Sequence, residues 1–223
     1  MRGDGDGAAR LKARGMLSLE GIVNLANENV ALSPREREHM LEQAGIALQN
    51  LFASLRIDTE ADHNMQGSAH RIAKMLVNEI FAGRYEPRPK ITTFPNTRNA
   101  NDLYTVGPIA VRSTCSHHFA PVIGNCWIGL IAGDQLIGLS KLSRIVDWIM
   151  RRPQLQEEAT VQIAEELDSI IRPKGLGVIV KARHMCLEWR GVCEHETMMT
   201  TTAMRGRFAE DEKARNDLMA LIH

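Results

Sequence analysis

A chain of 223 residues, 44% of them hydrophobic, is long enough to bury a sizeable core in one large domain with an added helical segment. Lys plus Arg equals Asp plus Glu at 27 each, so nothing global favours nucleic acid or an anionic membrane, and any anion site has to be local. Four irregularly spaced cysteines do not read as a secreted disulfide framework, and no signal-like leader or run of about 18 apolar residues occurs, so the expected location is cytoplasmic.

Residues 1–32 are rich in Gly, Arg and Asp and only weakly periodic, which predicts a mobile arm with one short helix around LEGIVNLANE. At SPRE the signals change: Ser33 can cap, Pro34 suits the first helical position and Glu36 completes a capping box. Met40, Leu41, Ala44, Ala47, Leu48, Leu51 and Leu55 then form one apolar stripe that should pack on something. A second helix is expected over SAHRIAKMLVNEIFAG, with Ile72, Met75, Leu76 and Ile80 on one face and Gly83 as its C-cap. Residues 33–90 thus read as an N-terminal helical segment. It ends in EPRPKITTFPNT, whose three prolines predict an extended connector.

Residues 91–223 read as the main domain. Tyr104, Val106, Ile109 and Val111 mark one strand and NCWIGLIA another, expected to pair antiparallel around a turn at Pro121 to Gly124. SKLSRIVDWIMRR has helical spacing in Leu142, Ile145, Val146, Ile149 and Met150. After Pro153 a second helix runs through Ala159, Ile163, Ala164, Leu167 and Ile171 to the PKG stop. GVIVKARHMCLEWRG and MMTTTAMRGRF read as two more strands before a short terminal helix. Two strands, two helices and two strands make an α+β domain.

The segment RSTCSHHFAP, residues 112–121, places Cys115, His117 and His118 within four positions. A catalytic zinc site takes three protein ligands and leaves one corner for water, whereas a structural site is closed by four. Cys115-x-x-His118 supplies two. His184 and Cys186 stand two apart on a predicted strand, so they share a face, and Cys186 is the candidate third ligand. Such a metal lowers the pKa of its water to about 7. His117 and His184 remain as free imidazoles suited to proton transfer. Spacing alone leaves open a structural site closed by Cys126 or Cys193, and also a Cys–His nucleophilic pair.

Ser140, Lys141 and Arg144 fall at the predicted start of a helix, where free N–H groups and the dipole favour an anion. Arg190, and Arg71 with Lys74, add charge if the fold or an oligomer brings them together; alone, the last two read as solvated surface. Gln156 and Glu157 offer a carboxylate for planar recognition of adjacent ring N–H donors, although a glutamate there is also simply a favourable first-turn acid.

Five ordered motifs, HRIAKM-x-x-x-EIF-x-G, STC-x-HHF-x-P-x-x-G, IGLSK-x-x-RIV, RPQ-x-QE and H-x-C-x-x-x-RGV, together resemble type I GTP cyclohydrolase over roughly residues 66–208, and more loosely 33–222. The resemblance implies the tunnelling fold, an antiparallel sheet with two helices on one face, assembled into a homodecamer of two pentamers with active sites between subunits. It implies zinc (Zn2+) on Cys115, His118 and Cys186, and proton transfer by His117 and His184. The triphosphate of GTP would fall to Arg71, Lys74, Ser140, Lys141, Arg144 and Arg190, and the guanine edge to Glu157 with Gln156 adjacent. The implied reaction is attack of water at guanine C8, ring opening, formate release and rearrangement to 7,8-dihydroneopterin triphosphate. Three departures stand out. Ser116 replaces the glutamate of the usual CEHH, Ser68-Ala69-His70-Arg71 replaces T-P-x-R, and the loop after RGV adds Cys193 and His195. The rival readings are a relative that only opens the imidazole ring or acts on another purine nucleotide, and a non-catalytic structural-zinc nucleotide-binding protein.

Overall fold

In the computed structural model, which describes residues 24–222, the first described residues form a turn and not the helix expected around LEGIVNLANE. The rest of that expected helix, residues 19–23, lies outside the described residues. The Arg84 guanidinium donates to the carbonyls of Leu25, Ala26 and Glu28, and Arg152 donates to that of Asn27; the Leu25 carbonyl also accepts from Glu28 N–H in the turn, so these oxygens build no helical ladder. Ser33 then starts helix α1 (Pro34–Ser54) with the expected capping box: its hydroxyl accepts from the Glu36 N–H, and the Glu36 carboxylate accepts from the Ser33 N–H at 2.8 Å. The apolar stripe is only partly used. Phe52 is the buried residue of α1, while Leu51 and Leu55 stay 49% and 60% exposed.

The single second helix expected over residues 68–83 is instead three pieces: α2 (Ser68–Met75), one π-turn (Leu76–Ile80) and α3 (Ala82–Tyr85). Gly83 lies inside α3 and caps nothing. A Cβ there would stand 1.9 Å from the Trp148 carbonyl oxygen, so its lack of a side chain lets α3 press onto the helix behind it. The proline-rich connector is extended as expected, and its end pairs as β1 (Thr93–Pro95) with β4 (Gln135–Ile137).

The main sheet has the order β5-β2-β3-β6-β7, with β2 (Leu103–Cys115), β3 (Pro121–Ile131), β5 (Pro153–Gln154), β6 (Gly175–His184) and β7 (Met199–Gly206). Every pairing is antiparallel except the short parallel contact of β5 with β2. Helices α4 (Leu139–Met150) and α5 (Gln156–Ile171) pack on one face, where Ile128, Leu130, Leu142, Ile145, Leu167 and Leu176 are fully buried. Each such side chain stabilises the fold by about 1.5–3 kcal/mol. This is the α+β arrangement expected from the pattern. Two further helices, α7 (Arg207–Glu210) and α8 (Glu212–Ala220), cover one end of the opposite face through Phe208 and Leu218. No helix of the described residues is long and apolar enough to cross a membrane.

Candidate metal centre and active site

Strands β2 and β3 are joined by residues 116–120, so the turn falls earlier than the Pro121 to Gly124 position expected from sequence. The reason is pairing. Val122 and Gly124 are already in register with His184 and Ala182 of β6, and Pro121 opens the strand, where a missing N–H costs little. The turn closes through Cys115 N–H to Ala120 O and Phe119 N–H to Cys115 O, both 2.9 Å, with Phe119 at φ +53°. The CSHH segment is therefore the hairpin turn itself. Cys115 stays 6% exposed under it, while His117 and His118 project outward.

Strand β6 ends at His184, and a single helical turn, α6 (Met185–Glu188), follows. Cys186 is thus not on a strand with His184 as the two-residue spacing suggests. The helical turn carries it back onto a small cluster of Cys115, Val122 and Ala182. There one donor atom each from Cys115, His118 and Cys186 lies within 4.8 Å of the others. Donors bound about 2.0–2.3 Å from a tetrahedral ion stand about 3.5–3.8 Å apart, so a closure of at most about 1 Å would let these three hold one. Cys126 and Cys193 lie outside this group. Cys126 belongs to the main core, fully buried, with its thiol pushed up to about 12 by desolvation. Among the described residues the group has three protein donors, which fits an open metal site and not a closed structural one.

Burial raises the Cys186 thiol, the adjacent Cys115 sulfur raises it further, and Arg190 pulls the other way. A divalent cation would take the place of those thiol protons. Arg190 Nη1 lies 3.0 Å from His118 Nε2, and a guanidinium can only donate, so here that nitrogen's one lone pair accepts from Arg190 and would have to leave it to bind a metal. His184 is half-buried; desolvation lowers its pKa and Glu157 partly offsets this. Its Nε2 meets Gln156 Oε1 at 2.9 Å. Gln156, expected beside the guanine edge, is 4% exposed and turned inward, while Glu157 is exposed at the start of α5. The inward role of Gln156 escapes sequence reading; the one local hint is that it opens the same helix face as Ala159, Thr160 and Ile163, all buried.

The other predicted anion residues stand elsewhere in the single chain. Ser140 and Lys141 begin α4, but Arg144 is a turn further on and lines an open groove of about 550 Å³ with residues 106–110, Arg112, Ser143 and Asp147. Arg71 on α2 donates to Gln66 O and Ser68 Oγ, tying down its own helix start. Lys74 is exposed on the same helix. Among the described residues none of these five hydrogen-bonds to the Cys115, His118 and Cys186 group.

The family model for GTP cyclohydrolase I matches residues 45–223. A GTP cyclohydrolase 1 of Tolumonas auensis is 36% identical over 194 residues, covering 86% of this chain and 88% of its own. One from Aeromonas hydrophila is 34% identical over 211 residues, 94% of each. Among solved structures, an apo archaeosine synthase QueF-Like aligns at TM-score 0.37 and 15% identity over 54% of this chain and 97% of its own, too slight a likeness to argue from. Family model and relatives agree across most of the sequence: the chain belongs to the GTP cyclohydrolase I family of enzymes.

Proposed function

We propose that the chain hydrolyses GTP at guanine C8, releases formate and forms 7,8-dihydroneopterin triphosphate, using zinc held by Cys115, His118 and Cys186. The convergence of those three donors, with no third cysteine among the described residues joining them, is the observation that carries the reading. When bound, zinc supplies the Lewis acidity that makes water nucleophilic near neutral pH. His117 on the hairpin turn and His184 at the end of β6 move protons through ring opening and closure. Glu157 accepts from the guanine edge, with Gln156 behind it, and Arg190, beside His118, faces the triphosphate.

Arg71, Lys74, Ser140, Lys141 and Arg144 complete the triphosphate site from neighbouring subunits. What supports this is their separation from the donor cluster within one chain, together with the exposed Leu51 and Leu55 on α1 and Phe119 on the turn. The assembly is a cytoplasmic homodecamer of two pentamers in the tunnelling fold, built by domain 91–223, with the helical segment 33–90 and the arm 1–32 leading into it.

Incubation with GTP, followed by product chromatography and metal analysis, tests the reading. A fluorescent pterin, formate and about one zinc per chain are expected. His184→Ala should keep its zinc and lose about 10²- to 10⁴-fold in kcat; near wild-type turnover in that variant would remove His184 from the mechanism. Ser116 motivates a second reading, because a hydroxyl cannot act as the carboxylate that usually neighbours His117. A ring-opened formamidopyrimidine as the final product would establish it.

A further inference from the structure

We infer that Gln156 is a positioning residue that fixes His184 with its ring proton on Nε2, so that Nδ1 is the nitrogen that exchanges a proton with substrate. The functional half of this rests on the proton-transfer role proposed above for His184. The observation is a hydrogen-bond circuit whose direction is fully determined. Gln156 is buried, and its side-chain nitrogen stands 3.2 Å from Val180 O and 3.1 Å from Met199 O. Backbone carbonyls only accept, so the NH2 group must face them.

A second path agrees. Thr160 Oγ1 lies 2.7 Å from the Gln156 carbonyl and spends its one proton there. Across the 2.7 Å contact between Thr160 and Thr201, the donor is therefore Thr201. Having donated, Thr201 Oγ1 is left to accept from Gln156 Nε2 at 3.1 Å, whose two hydrogens are shared among this oxygen and the two carbonyls. The bonds run from the Gln156 amide through Thr201 and Thr160 back to the Gln156 backbone in one sense only. Flipping the amide would set its oxygen against two backbone carbonyl oxygens and lose both hydrogen bonds, a costly exchange. Gln156 Oε1 is thus an acceptor aimed at His184 Nε2, which must carry the hydrogen.

The three elements that lock the glutamine, α5, β6 and β7, belong to the packed body of the domain. The tautomer of His184 is therefore set by the fold and not by the substrate. A histidine in the wrong tautomer presents a hydrogen where a lone pair is required, which costs orders of magnitude in rate.

The test uses the zinc-loaded full-length protein with 15N-labelled histidine, observed by solid-state NMR, the His184 signals being assigned by their loss in His184→Ala. Wild type should show a protonated Nε2 and a bare Nδ1. In Gln156→Leu the His184 signals should shift to the Nδ1–H form or a mixture, and kcat for GTP should fall about 100-fold while KM moves less than about 3-fold. Two results overturn the inference: a wild-type His184 with its proton on Nδ1, which needs no variant to fold, or a Gln156→Leu protein with unchanged signals and kcat. Should wild type show Nε2–H while His184→Ala turns GTP over normally, the exchange role of Nδ1 falls with the reading beneath it, and the orientation of the ring is a separate, standing result.

Discussion

At one end of the main sheet, around residues 129–131 and 175–179, both faces are covered: α4 and α5 pack on one side, and Phe208 and Leu218 of α7 and α8 on the other. At the opposite end, where β2 turns into β3 and β6 into α6, burial shrinks to Cys115, Val122 and Ala182, with the candidate metal donors at the rim. The first end is held by many interchangeable apolar contacts, so a single loss weakens it without changing what it is. The second depends on three donor atoms for which no packing residue can substitute. The main packing and the proposed chemistry thus lie at different ends of the same strands, and the two should be separable by mutation.

Cys115→Ala breaks the rim alone, and the expected result is loss of bound zinc and a fall in GTP turnover of about 1,000-fold or more, with the far-UV circular dichroism of wild type retained. Metal analysis of the purified variant checks it; a full complement of zinc would contradict the ligand set. Leu167→Ala strikes the covered end. Urea unfolding should register a loss of about 2–5 kcal/mol, while zinc per folded chain stays at the wild-type value.

Gly177→Ala sharpens the comparison at the seam under α8. Its Cβ would lie 2.4 Å from Leu218 Cδ2, and overpacking of this kind costs about 1–3 kcal/mol. The double variant with Leu218→Ala should be less destabilised than the sum of the two single changes, because the clash is gone. Ser33→Ala, far from both ends, should cost about 1 kcal/mol through loss of the α1 cap. The Ser33 hydroxyl, and then its backbone N–H, hold the Glu36 carboxyl below the usual glutamate range. A lowered folded-state pKa contributes stability above the unfolded value and loses it as pH falls through the folded one. The difference between wild type and Ser33→Ala should therefore narrow on acidification below about pH 4.5, which a pH series of unfolding curves would reveal.

Much of this was legible in the residues. The capping box at Ser33, the stripes on α4 and α5 and the alternation in β2, β3, β6 and β7 all match the observed elements. The second helix differs from its expected single run because the chain widens into a π-turn at Leu76–Ile80 and restarts after Phe81, a change of hydrogen-bond pattern that apolar spacing does not encode. The β2–β3 turn was placed too late because β3 is paired on both sides, and the register with β6, invisible in either strand alone, extends it back to Val122. Cys186 was named from its spacing to His184 on a strand, yet it reaches the site through a helical turn.

What the sequence settled by itself is local: which stretches alternate, which repeat at helical spacing, and which side chains carry sulfur, imidazole or charge. Those properties depend on residues a few positions apart, and side-chain chemistry does not change with context. Only the tertiary structure decided which donors meet, that Cys126 belongs to the core, and that Gln156, 28 positions from His184, turns inward to hold it. Such outcomes are set by strand register and helix placement across long stretches of chain, where a shift of one residue sends a side chain to the other face.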